Sequence, residues 1–364
     1  MHRNQLNFSG GPGALPDTVL EQVRQTVIEL SETGLSVLGM SHRSPWFLRL
    51  LEETEADLRA LLRIPDDYSV VFLQGGSSLQ FSMIPMNFAV PGAAAPDYVT
   101  SGYWSRKVVD EASRVVAMRT VWDGTESGYR TLPDLIGLDW DPRASYRHYV
   151  SNETVEGLQF PAVTDSGGSP LIADMSSDFM SKPFDVGAYG MVYAHAQKNL
   201  GPAGVTVAII RNALLDRIPD TLPPMLDYRT HIRHRSNFNT PPVFAIDVMA
   251  RVLRWIRDDI GGLDAMADIN ARKAAALYAV LDELREVVVG HAQKTVRSTM
   301  NVAFRFKDSR LDTRFIELAA EAGLSGLNGH RSIGGLRASL YNAVSEQAVG
   351  RLTAFLKEFA LRHA

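Results

Sequence analysis

Residues 171–205 read LIADMSSDFMSKPFDVGAYGMVYAHAQKNLGPAGV. Leu171, Ile172 and Ala173 form a short apolar run that ends in a carboxylate, Asp174. Met191, Val192 and Tyr193 form a second run, which leads into His195, Gln197 and Lys198. After a Gly-Pro-Ala-Gly turn at 201–204 a third run extends from Val205 to Ile210. Short apolar runs bounded by polar turn residues match strands buried inside a parallel sheet. A carboxylate and a lysine therefore sit just past the ends of buried strands, where open α/β sheets hold their ligands.

The pairing has a chemical use. A lysine in a dry pocket sheds its proton more easily and can condense with a carbonyl to a Schiff base. Pyridoxal phosphate chemistry needs such a lysine. It also needs a carboxylate against the pyridine nitrogen, to keep the ring protonated as an electron sink. A surface lysine at a strand end and a helix-capping Asp are the plain alternative for the same two residues, so the rest of the chain has to decide.

With 364 residues the chain can bury a large core, and its length predicts two domains. Its 37 basic and 41 acidic side chains give a net charge of −4, which offers nucleic acid or an anionic membrane no general attraction. An anionic substrate thus requires a local cluster of cations. Cysteine is absent, which excludes disulfides, thiolate metal sites and a cysteine nucleophile; no metal site is predicted. The N-terminal stretch has no apolar core of signal-peptide length, and no run approaches about 18 uninterrupted apolar residues. The expected location is the cytoplasm.

Asn7 to Pro16 is a Gly- and Pro-rich loop that fails as a dinucleotide fingerprint, because no strand precedes it and Pro16 replaces the last glycine. A helix is expected over 17–30 with Asp17 as its N-cap. Another follows Ser44, with Pro45 in its first turn and Phe47, Leu50, Leu51, Leu58, Leu61 and Leu62 on one face. Strands at 70–73, 97–100, 115–118 and 147–151 alternate with helices, which argues for a mainly parallel, helix-covered sheet. Residues 219–242 read as a long polar connection, of a kind usually kept for function. A helix begins at Phe244, and Gly261–Gly262 marks a break into a smaller C-terminal domain. That domain is expected to hold helices near 266–284, 313–321 and 347–361, with strands near 287–289 and 300–306.

Several loops carry candidate chemistry. Gln74-Gly75-Gly76-Ser77-Ser78 opens a helix directly after a strand, so free N–H groups, the helix dipole and two hydroxyls suit a phosphate; a serine-capped turn reads equally well. Leu79 occupies the last glycine position of a hydrolase elbow, which excludes that motif. Trp104, in a strand-end loop, can stack on a flat heterocycle or pack in the core. Thr154 can donate to a ring hydroxyl or cap the next segment. His330, Arg331 and Arg337 lie close together among glycines, and arginine forks bind carboxylates and phosphates. With His42 and Arg43 they supply the cation cluster that a doubly anionic substrate needs.

Taken together, N-F-S-G-G-P-G-x-L-P, M-S-H-R-S, F-L-Q-G-G-S-S-L-Q-F, S-N-E-T, A-Q-K-N-x-G-P-A-G, N-T-P-P-x-F-A-I and G-H-R-S-x-G-G-L-R-A-S-x-Y-N-A resemble the signature segments of the phosphoserine aminotransferase family. They keep that family's order and spacing over essentially the whole chain. The resemblance implies an α/β fold-type I pyridoxal phosphate transferase. A large cofactor-binding domain would span 16–260, and a small α+β domain would combine 261–364 with the N-terminal segment 1–15. It implies a homodimer that moves an amino group between glutamate and 3-phosphohydroxypyruvate in serine biosynthesis, with a further role in pyridoxine biosynthesis. In this frame Lys198 would carry the cofactor and shuttle the proton. Asp174 would pair with the pyridine nitrogen, Trp104 would stack on the ring and Thr154 would bond its hydroxyl. Ser77, Ser78 and Gln197 would hold the cofactor phosphate, with Asn239 and Thr240 reaching it from the neighbouring subunit. Arg337 would clamp the substrate α-carboxylate. His42 and Arg43 of the neighbour, with His330 and Arg331, would receive the substrate's phosphate or distal carboxylate.

Three positions depart from the family pattern. Ser78 stands where some members carry arginine, Gly39 where an acidic residue is frequent, and His195 where glycine is usual. His195 reads either as a packed or solvated histidine or as an added ligand or pH-sensitive neighbour of the lysine. Competing readings are a transaminase of alanine–glyoxylate type, against which the cation cluster argues, and a silent phosphate-binding relative. The absence of cysteine excludes a cysteine desulfurase.

Overall fold

The computed structural model describes residues 3–89, 92, 94–163 and 168–363. In chain order its first elements are α1 (Asp17–Ile28), α2 (Pro45–Leu62), β1 (Tyr68–Leu73), α3 (Gly76–Phe88), β2 (Asp97–Thr100), α4 (Tyr103–Ala112), β3 (Arg119–Asp123) and β4 (Arg147–Val150). A small hairpin of β5 (Asn152–Glu153) and β6 (Leu158–Gln159) follows, then β7 (Leu171–Asp174), β8 (Met191–His195), β9 (Thr206–Arg211), α5 (Tyr228–Arg233) and α6 (Val243–Arg254). The remainder is α7 (Leu263–Glu283), β10 (Val288–Gly290), β11 (Asn301–Phe306), α8 (Arg310–Glu321), β12 (Leu336–Ser339) and α9 (Glu346–His363).

Seven strands form one sheet in the order β1-β9-β8-β7-β4-β2-β3, parallel at every pairing except the two made by β9. The link between β8 and β9 is too short to hold a crossover helix, so β9 returns antiparallel. Alternate strand residues face opposite sides. Val70, Phe72, Ala173, Val192 and Ile209 pack with α2 and α6, whereas Val71, Leu73, Ile172, Tyr193 and Ile210 pack with α3 and α4. Both faces are covered, which is why these strands read as continuous apolar runs.

Ser44 caps α2 as expected, its hydroxyl accepting from Phe47 N–H at 3.2 Å. Four expectations are corrected. Asp17 is the first residue of α1 rather than its cap, and its carboxylate accepts instead from the side chains of Asn4 and Gln5. The strand expected at 115–118 lies at Arg119–Asp123; as an edge strand it is only half covered, so its apolar pattern is weak. The connection at 219–242 contains the short helix α5, and β12 was hidden in the glycine-rich arginine motif.

A second core joins Leu6, Phe8 and Ala14 of the N-terminal segment to α7, α8, α9 and the three-stranded sheet β10-β11-β12. Between the two cores, a π-helical turn at Trp255–Asp259 ends in Gly261 and Gly262. Both glycines have positive φ, 91° and 102°, a conformation that strains other residues. Lys273 of α7 is buried and donates to the carbonyls of Leu340, Tyr341 and Val344, each at 2.9 Å, which fixes the chain that follows β12.

Candidate active site

The C-terminal ends of β1, β2, β4, β7 and β8 open on one cavity of about 240 Å³. Its walls include Ser77, Ser78, Trp104, Thr154, Asp174, His195, Gln197 and Lys198. Seven expected cofactor-binding residues, Ser77, Ser78, Trp104, Thr154, Asp174, Gln197 and Lys198, therefore meet in one place, and His195 joins them. This is the crevice that the α/β ligand rule anticipates.

Lys198 lies on the turn after β8, is 7 % exposed, and donates from Nζ to Thr154 Oγ1 at 2.6 Å. Burial lowers its pKa to about 8, the Asp174 carboxylate opposing the shift and Arg337 adding to it. A neutral amine is thus accessible near physiological pH. Asp174, at the end of β7, is also buried, which raises its pKa, while the N–H (2.8 Å) and hydroxyl of Ser176 hold its Oδ1. Behind it the Tyr193 hydroxyl interacts with Asp174 and meets His148 Nε2 at 3.0 Å. Burial keeps that imidazole neutral, with a pKa of about 3.

The phosphate-like end of the cavity is the start of α3. Gly75 must be glycine: φ is +87°, and a Cβ would lie 2.5 Å from Leu79. The first N–H groups of α3 are free for an anion, and Ser77 Oγ meets Ser176 Oγ at 2.7 Å. Gln197 Oε1 is buried without a partner. Ser176 was missed because a serine beside a site aspartate has no sequence signature of its own.

Trp104 is set by buried carboxylates. Glu153 accepts from the N–H groups of Trp104 and Ser105, both at 3.0 Å, and Glu156 accepts from Tyr103 N–H at 3.0 Å. Carboxylates suit a helix N-terminus. Burial and the neighbouring Glu153 raise the pKa of Glu156 to about 8. Glu153 stood out in the sequence only as part of S-N-E-T, and Glu156 not at all.

Arg337, on β12, enters from the second core. Its guanidinium lies so close to Gly10 that a Cβ there would sit 2.1 Å from Nη2, so the N-terminal glycine loop shapes its seat. Its Nε is buried without a partner, and burial lowers its pKa. A substrate carboxylate would meet that need. His330 packs at a tilt of 54° against Tyr103, ring centroids 4.4 Å apart, and Tyr103 in turn meets Trp104 edge-on, while Arg331 is exposed.

Seven expected residues do not line the cavity: Arg337, His330 and Arg331 lie beyond its wall, and His42, Arg43, Asn239 and Thr240 are on the surface. Asn237 donates to the His42 carbonyl at 3.0 Å, which joins the loop of His42 and Arg43 to the loop of Asn239 and Thr240 on the surface. Gln74 binds the latter loop through the Thr240 carbonyl and Asn239. Leu38, Leu48 and Phe238 are exposed apolar residues on the same two segments, at 64, 43 and 40 %. An amine, a carboxylate, an indole and an anion-binding helix start in one cavity fit a flat heteroaromatic aldehyde bearing a phosphate.

Known proteins agree with that chemistry. The model of the aminotransferase class-V family matches residues 5–352. A phosphoserine aminotransferase of Geobacillus kaustophilus is 46 % identical over 362 residues, covering all of both chains. The structure of phosphoserine aminotransferase from Bacillus circulans subsp. alkalophilus matches with a TM-score of 0.95 at 42 % identity, over 99 % of each chain. That of a PLP-bound phosphoserine aminotransferase from Trichomonas vaginalis matches with a TM-score of 0.88 at 35 % identity, over 96 % of this chain and 99 % of that one.

Proposed function

The chain belongs to the class-V aminotransferases, and from that premise we propose that it is a pyridoxal phosphate-dependent phosphoserine:2-oxoglutarate aminotransferase. Amino transfer between glutamate and 3-phosphohydroxypyruvate yields 2-oxoglutarate and phosphoserine, a step of serine biosynthesis. The observation that carries the reading is the buried Lys198 amine, held by Thr154 in the same cavity as Asp174 and the start of α3.

When bound, the cofactor supplies an electron sink for the bond pair released at the substrate Cα. Everything else falls to the chain. Lys198 is the attachment point and, once free, the base that takes the Cα proton and returns it. Its lowered pKa supports that double use. Asp174, backed by Ser176 and Tyr193, would hold the ring nitrogen, Thr154 the ring hydroxyl and Trp104 the ring face. Ser77, Ser78 and Gln197 with the start of α3 would hold the phosphate. Arg337 takes the α-carboxylate that all four substrates share, and His330 and Arg331 take the distal anion.

His42, Arg43, Asn239 and Thr240 act in the site of a second subunit. The exposed Leu38, Leu48 and Phe238 beside them support a homodimer with shared sites. In this reading the protein is cytoplasmic, and a large unit of 16–260 carries the cofactor. The segments 1–15 and 261–364 form the substrate-gripping unit, with Gly261 and Gly262 as the break. The four-carbon homologue of phosphoserine, an amino donor in pyridoxine biosynthesis, presents the same two anions to the same cations. One assay tests the assignment: phosphoserine with 2-oxoglutarate, following glutamate. Amino transfer from alanine in preference to phosphoserine would overturn it.

A further inference from the structure

His195 has no part in the chemistry described so far, yet it stands inside the cavity. It ends β8, and its Nδ1 meets Thr206 Oγ1 of β9 at 3.0 Å. Its backbone N–H meets Ser176 Oγ at 3.3 Å, the same hydroxyl that touches Ser77. The imidazole lies against the first residue of α3: a Cβ placed on Gly76 would be 3.7–3.8 Å from Cε1, Nδ1 and Nε2. The ring thus borders the helix start to which a phosphate would bind, one nitrogen is anchored to the sheet, and the histidine forms part of the cavity wall.

Charge makes this position consequential. The other side chains lining that end are the hydroxyls of Ser77, Ser78 and Ser176 and the amide of Gln197. Of all the residues lining the cavity only Lys198 and His195 can carry a positive charge, and Lys198 is occupied by the carbonyl chemistry. Within one chain, a phosphate dianion in this cradle would meet dipoles but no fixed cation.

We propose that His195 is a ligand of the cofactor phosphate, binding it as an imidazolium, so that cofactor retention is coupled to the uptake of one proton. The inference rests on the pyridoxal phosphate reading above and deepens it. In the ligand-free chain burial, and then the Lys198 ammonium, disfavour the charged ring, while the Val205 carbonyl favours it. The groups around it are Lys198 on its own segment, Asp174 at the end of β7, Thr206 on β9, and Gly76 and Ser77 on α3; Lys198 is the one other cation among them. A dianion arriving at the ring reverses the balance. Phosphate binding then strengthens as the pH falls and weakens as it rises through the histidine range.

The test uses pyridoxamine 5′-phosphate, which carries the phosphate but has no aldehyde for Lys198. Its affinity for the apoprotein is measured by titration calorimetry from about pH 6 to about pH 9 in the wild type, His195→Gln and His195→Gly. The titrations of the ligand and of the Lys198 amine, which this probe leaves free and which falls in the same range, are common to all three proteins and cancel. The expected result is tighter binding by the wild type at the acidic end and a loss, relative to both variants, of up to about tenfold per pH unit across the histidine's titration. Parallel profiles for the wild type and a folded variant would overturn the role of His195 and leave the cofactor assignment intact. Failure of the wild-type apoprotein to bind the probe at any pH would remove the cofactor reading itself. The Gly variant guards against misfolding, since it places no side chain against Gly76.

Discussion

Lys198 and Asp174 share one buried cavity, and their opposed pKa shifts follow from that single fact. Burial disfavours charge on both: it lowers the lysine to about 8 and raises the aspartate, while each charge partly rescues the other. Because only the neutral amine attacks an aldehyde, capture of pyridoxal phosphate by the apoprotein should accelerate as the pH rises through about 8 and then level off. Stopped-flow absorbance checks this, and a rate flat between pH 6 and 9 (approximate bounds from the ordinary and shifted lysine range) would contradict the environment assigned to Lys198. Lys198→Ala should lower amino transfer by at least about 100-fold, the lower end of what a positioned proton shuttle contributes; near-normal turnover would sink the assignment. At Arg337 the guanidinium has a partnerless buried Nε and a glycine-made seat. Arg337→Ala should weaken binding of both glutamate and phosphoserine by about 2–4 kcal/mol, read as KM for each. An effect on phosphoserine alone would assign the arginine to the wrong anion.

At the scale of elements, strand ends deliver the cofactor-binding groups and helix starts bind or orient. The start of α3 is left open for an anion, whereas the start of α4 is filled from within by Glu153 and Glu156. The first arrangement makes a ligand site and the second fixes Trp104. The link from α7 to the segment after β12 is held by Lys273, whose ammonium supplies the donors that three carbonyls require. Lys273→Met keeps the apolar stem and removes those donors, so the variant should lose about 3 kcal/mol of stability in denaturant unfolding. An unchanged midpoint would mean that the carbonyls find other partners. Elements were legible in the sequence in proportion to their coverage. The doubly buried β7 and β8 stood out as apolar runs, but the edge strand β3 and the glycine-flanked β12 did not.

For the whole molecule, the decisive matter is which chain completes each cavity. His42, Arg43, Asn239 and Thr240 gather on one surface, outside the cavity of their own chain and beside exposed apolar side chains. If they serve a neighbour, Lys198→Ala and Arg43→Ala subunits can complement each other. In a mixed dimer one site carries both substitutions and the other carries neither. Co-refolding the two impaired proteins should therefore restore phosphoserine-dependent glutamate formation. Activity no higher than that of the separate proteins would return Arg43 to its own chain's site.

The sequence by itself determined the large sheet and the lysine–aspartate pair. Both are local: apolar runs record burial on two faces, and polar residues directly after them record strand ends. The ordered motifs extended that to the family and to the arginine cluster. Tertiary structure alone decided which groups support the site residues: Gly10 seats Arg337, Glu156 holds the start of α4 beside Trp104, and Ser176 and Tyr193 hold Asp174. It also decided what surrounds His195. Beside Lys198 in the sequence it is an unusual neighbour; in the fold it borders the first turn of α3, which a chain of α/β units brings to the end of β8 only when the sheet is assembled.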